Sequence, residues 1–199
     1  MPELLSEQKK SLLLSFSKTK KLAFLMLLLD RMLPELRSYF LATGRDFSVI
    51  QRARERFWRL LSGDETLVCW NELRETILDL LPDSEDDGSE AAQFARYAGL
   101  VAADIAGLVD DGQDSHVTEP IEYALETIYA TATTGMQIYV YSRAVEEAVT
   151  SHPLFRRERQ QEEEDVMLLS RLPEPPWPPN VLSTLRERAQ AQETLLGTR

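Results

Sequence analysis

Asp104 is the carboxylate whose placement best suits chemistry. At about 100° per residue it sits roughly 60° from Val101, at the edge of an apolar helix face beside Tyr97 and Leu108. Partial desolvation there raises a carboxyl pKa, the condition for acid–base work, although a bond to a neighbouring Arg or Tyr is the plainer role. Glu122 and Glu126, four residues apart on the next helix, are placed to meet Asp104 across a helix pair. With Tyr123 they make the candidate ligand site: Asp104, Glu122, Tyr123 and Glu126.

Other chemistry has less support. The two histidines, His116 and His152, lack the Glu three residues before them that a di-iron bundle uses, so no metal ligand is assigned. The run from Asp83 to Gly88 imitates the start of a calcium loop, but its twelfth place is Phe94 where a bidentate glutamate is required, and it reads as an acidic turn. Cys69, the lone cysteine, excludes a disulfide framework and a cysteine-built metal centre, and with no histidine near it in sequence it reads as a packed or half-buried thiol. No glycine-rich phosphate loop or Gly-x-Ser-x-Gly elbow is present. No catalytic residue and no cofactor are assigned.

Arg45, Arg52, Arg56 and Arg59, with Phe57 and Trp58 among them, imitate a nucleic-acid patch. A net charge of -11 argues against it, because such binding is driven mainly by cations neutralising phosphates. The charge is instead polarised. Residues 1–60 hold 12 Lys/Arg against 6 Asp/Glu, whereas residues 64–126 hold 2 against 17. The expectation is that the basic and acidic thirds pack together, in one chain or across a dimer.

The elements that must position these residues read as helices. Leucine outnumbers valine plus isoleucine and glycine is scarce, which favours an all-α fold: a bundle of about seven or eight helices without a sheet, in one domain over 1–199. Lys18 to Phe40 is apolar on all sides and suits a helix in the middle of the bundle, kinked or split by Pro34 and stopped at Gly44. Asp46 caps the next helix, and Trp70, Leu73, Ile77 and Leu80 mark a short one ending before Pro82. Ser89 caps a helix to about Asp111, and Thr118 caps another with Pro120 in its first turn. Thr131 to Tyr141 also fits a short strand but is assigned to helix, since no second strand exists to pair with it.

From Ser151 a helix runs to Leu172, with arginines at its start and Glu162 to Asp165 further on, an order that opposes the helix dipole. Its arginines are therefore expected to lean on the acidic third and its carboxylates on the basic third. Residues 173–179 contain five prolines and form an extended strap with Trp177 pinned to the bundle, before a closing helix from about Asn180 to Leu196. The longest strictly apolar run, Leu22 to Leu29, is far short of the roughly 20 residues that span a bilayer. Neither a signal peptide nor a membrane anchor is expected, and the cytoplasm is the expected location.

The order of segments resembles the YjaG-like bacterial family, catalogued as a domain of unknown function. The residues that carry the likeness are Leu22-Ala23-Phe24, Asp30-Arg31-Met32-Leu33-Pro34, Thr43-Gly44, Ile50 to Leu61 with Trp58, the Asp104 helix, Glu119 to Thr133 and His152 to Leu172. The resemblance implies an all-helical bundle and supplies no catalytic residues. The proline-rich stretch departs from the family pattern, in which helix continues.

The first functional expectation is a non-enzymatic protein–protein interaction module with a charge-polarised surface, binding a protein partner or a second copy. The alternative is a small-ligand or metal binder, or an enzyme, working between the helices of Asp104 and Glu122/Glu126. A closed interface there favours the first and an open pocket the second. A third possibility is acidic mimicry of nucleic acid, which requires the carboxylates of residues 64–126 to be exposed and unpaired.

Overall fold

A computed structural model describes residues 2–64, 68–83, 87–134 and 142–197, and among them every regular element is helical. Nine helices are found there: α1 (Glu7–Leu14), α2 (Lys18–Thr43), α3 (Ser48–Leu61), α4 (Trp70–Leu80), α5 (Glu90–Asp111), α6 (Ser115–Thr133), α7 (Arg143–Ser151), α8 (Pro153–Arg171) and α9 (Pro179–Ala191). That exceeds the seven or eight expected. Helices α1 and α7, to which the sequence reading assigned nothing, account for the difference, and α7 ends where Pro153 cannot continue its bonding.

Helix α2 is the axis of the bundle. All eight residues from Leu22 to Leu29 are buried, as a helix apolar on every side requires. Pro34 neither splits nor ends it, and it runs on to Gly44, whose left-handed backbone (φ 68°) closes the C-terminus. Helix α5 lies against α2, α4 and α6. Ala92, Ala95, Ala98, Gly99, Ala102, Ala103, Ala106 and Gly107 leave it thin enough for close neighbours on several sides.

Other boundaries follow local chemistry. Asp46 accepts the Ser48 N–H at 2.8 Å, and Ser89 accepts from Ala92 at the start of α5. The expected cap at Thr118 is corrected: α6 starts three residues earlier, at Ser115, and Pro120 lies inside it. His116 and Val117, both buried, draw that first turn into the core. Trp177 is buried and donates its ring N–H to the Pro173 carbonyl, which pins the strap. Helix α9 stops at Ala191, short of Leu196, because the chain turns there to bind α2 and α8. The part of the Thr131–Tyr141 segment beyond Thr134, and residues 84–86 of the acidic loop, lie outside the described residues. Among the described residues no helix is long and apolar enough to cross a membrane.

Candidate functional site

Asp104 and Tyr123 come together, but not around an opening. Asp104 is buried on α5, and its Oδ1 lies 2.9 Å from Nδ1 of His116 on α6, a partner that its sequence position did not reveal. His116 Nε2 lies 3.3 Å from Oδ2 of Asp111, so carboxylates flank both ring nitrogens. Burial pushes the Asp104 carboxyl up, and the bond and charge of His116 pull against it. Tyr123 stacks on Tyr97 at 5.6 Å and donates its hydroxyl to Glu119. Burial, then the negative charge of Asp104, hold that phenol protonated well above its usual range.

The interface is closed. A Cβ on Gly107 would stand 2.6 Å from the His116 ring, so α5 and α6 touch there without a gap. Glu122 and Glu126 are exposed instead, on a shallow cleft of about 310 Å³ shared with Pro2, Leu4, Leu5 and Lys10. Burial, with Glu122 beside it, raises the Glu126 carboxyl modestly from its ordinary value.

A denser arrangement of charge lies where α8 meets α2. Phe155, Glu158, Glu162, Asp165, Val166 and Leu169 form the buried face of α8, with carboxylates in its middle. Arg31 of α2 enters that face with no exposed side-chain surface. Its Nε and Nη2 engage Glu158, the latter at 2.7 Å, and its Nη1 reaches Asp165 at 2.8 Å and Gln192 at 3.0 Å. Arg188 holds the other oxygen of Asp165 at 2.6 Å. The carboxylates of Glu158 and Asp165 hold the guanidinium charged against the pull of burial. The sequence reading set the α8 carboxylates against the basic third but did not show that they would be buried there. The available signal was their interleaving with Phe155, Val166 and Leu169 at one helical phase.

The expectation for α8 holds in one half. Its carboxylates reach the basic third through Arg31, but Arg157 does not lean on the acidic third. It grips the chain end, through the carbonyls of Thr194 and Leu195 and the Glu193 carboxylate. The basic and acidic thirds do pack together in one chain, α2 against α5 and α6 and α3 against α4 and α5, but with little charge pairing among the described residues. Lys21 pairs with Asp114, yet Glu72, Glu75, Asp79, Asp110, Glu119, Glu122 and Glu126 are exposed and form no ion pair among the described residues.

A groove of about 950 Å³ runs along the outer side of α2. Leu33, Pro34, Arg37, Ser38 and Leu41 form its floor at spacings of three and one, a single helix face. Phe47, Gln51 and Arg54 wall one side, and Ala189, Gln190 and Thr194 the other. Leu41 is 69% exposed, the large apolar side chain left open among the described residues.

A search of curated proteins finds no match. The fold is that of a crystal structure of a DUF416 family protein from Shewanella baltica OS155, with a TM-score of 0.84, 15% identity and coverage of 94% of this chain and 96% of that one. A family model described as a protein of unknown function, DUF416, matches residues 9–195, nearly the whole length. This chain therefore belongs to the DUF416 family.

Proposed function

We propose that this protein is a non-enzymatic interaction module of the YjaG-like group within its family, working in the cytoplasm, and that its α2 groove receives an acidic amphipathic helix from a partner protein. The carrying observation is the stripe from Leu33 to Leu41, in which Leu33, Pro34 and the exposed Leu41 lie beside Arg37. Arg37 and Arg56 are exposed and form no ion pair among the described residues, and Arg52 is exposed with a hydrogen bond to Ser48. Arg54 is already neutralised by Asp30. A helix with leucines on one side and glutamates along its flanks matches that chemistry. The exposed acids of α4 to α6 repel such a partner from elsewhere and steer it to the basic end. The closed interface around Asp104 supports this reading over an enzyme acting there.

The test is a stapled 14-residue helix with leucine at positions i, i+3 and i+7 and glutamate on its flanks, titrated into the ¹⁵N-labelled protein. Shift changes confined to Arg37, Leu41 and Gln51, weakened by salt and lost in Leu41→Asp, are expected. Failure to bind, or equal binding to Leu41→Asp, overturns the reading. Docking of a second copy instead would show as a dimer in native mass spectrometry that Leu41→Asp abolishes.

The exposed, unpaired acids favour a second reading, in which a basic partner engages α4 and α6. Charge reversal at Glu72, Glu75 and Glu119 would abolish that contact and leave peptide binding in the groove intact.

A further inference from the structure

Glu162 is the one carboxylate of the α8 cluster that receives nothing. Its side chain is fully buried, and neither oxygen has a hydrogen-bond partner among the described residues. Arg31, the cation in contact with the cluster from α2, is engaged with Glu158, Asp165 and Gln192. Arg188 and Gln192, at the end of α9, reach Asp165 and not Glu162. The charged groups acting on Glu162 are Arg31 from α2 and Glu158 and Asp165 from its own helix, and among the described residues no group of α1, α6 or α7, which also touch α8, hydrogen-bonds it.

We propose that the inner face of α8 is a proton-operated clasp: with Glu162 neutral the face closes on α2, and with Glu162 ionised it releases α8 together with the tail beyond α9. An anion at this position would lose its hydration, gain no donor in exchange and stand beside two other anions. A neutral carboxyl avoids the repulsion. Burial first, and then the Glu158 charge, push the group well above the ordinary carboxylate range, in line with that geometry.

The parts that would move together are defined by bonds. Gln192 joins Asp165 to Arg31, the Leu195 N–H bonds the Arg31 carbonyl, and Arg157 holds the Thr194 and Leu195 carbonyls. Weakening α8 against α2 therefore loosens the chain end as well. Helix α5, which packs on α2, α4 and α6, has no share in the cluster.

The sign follows from where the proton sits. Above the unfolded value of about 4.3, the unfolded chain has lost a proton that native Glu162 still holds, so rising pH penalises the native state. The ratio of folded to unfolded protein falls by up to about tenfold per pH unit until native Glu162 itself ionises, where this loss ends.

Glu162→Gln keeps the shape and removes the proton, and Glu162→Leu checks that the new amide is not the cause of any gain. Urea midpoints of the full chain are compared from pH 5 to 9. The advantage of both variants over wild type is expected to grow with pH, and a constant offset overturns the proposal. Hydrogen exchange at pH 6 and 8.5, corrected for intrinsic rates, should show residues 153–171 and 192–197 opening at the higher pH in wild type but not in Glu162→Gln. Opening spread evenly over α5 as well overturns the clasp. If neither variant folds, ¹³C carboxyl titration of wild type decides, and a Glu162 resonance already ionised at pH 6 overturns it.

Discussion

Arg31 of α2 and Asp165 of α8 are 134 residues apart in the chain and meet at 2.8 Å with neither side chain exposed. With Glu158 on the second edge of the guanidinium, this contact ties the N-terminal axis of the bundle to its last third. Replacing Arg31 by Met leaves Glu158 without its cation and Asp165 with Arg188 alone. A loss of about 3–5 kcal/mol is expected in urea unfolding. Arg31→Met combined with Glu158→Leu should recover part of it, since an apolar contact of similar volume substitutes well for a buried pair. A loss under about 1 kcal/mol for the single change would show that the cluster contributes little.

Gly107→Ala is expected to destabilise the protein by about 1–3 kcal/mol, because the added methyl would meet the His116 ring 2.6 Å away. In a His116→Ala background the same change should cost clearly less, as the ring is gone. Thermal melts of the two single variants and the double variant check this, and additive losses would place the strain elsewhere.

Leu41→Asp should leave stability within about 0.5 kcal/mol of wild type, because the side chain is exposed. It should abolish binding of the leucine–glutamate helix, measured by fluorescence anisotropy. A variant that unfolds would mean instead that Leu41 supports the fold.

Trp177→Ala should cost about 3 kcal/mol and lower the melting temperature by several degrees, since the indole is 5% exposed and packs into the main core. An unchanged melt would mean that the strap is not held by it.

Much of the architecture is legible in the chain. The all-apolar run of Leu22 to Leu29, the stop at Gly44, the cap at Ser89, the Asp46 bond to Ser48 just before α3 and the proline strap each rest on propensity or hydrogen bonding within a few residues. Local rules therefore suffice for them. They fail at Thr118, where the early start of α6 depends on His116 finding Asp104 on another helix.

The candidate site divides along the same line. Periodicity put Asp104 at the edge of a buried face, whereas every residue from Val101 to Leu108 is buried, and the phase of each helix is reset by its loop. No spacing could show that α6 turns His116 and Tyr123 toward Asp104 while exposing Glu122 and Glu126. The same reset hid which residue of the basic third meets α8, and that the meeting is buried. Glu158, Glu162 and Asp165 are visible in the sequence as an acidic stripe, and an acidic stripe ordinarily faces water. Composition, charge polarity and helical class were decided by residue types alone, because they follow from the free energy of short segments in water. Which charges are buried, paired or left without a donor was decided by tertiary packing, because desolvation and pairing depend on groups more than a hundred residues away.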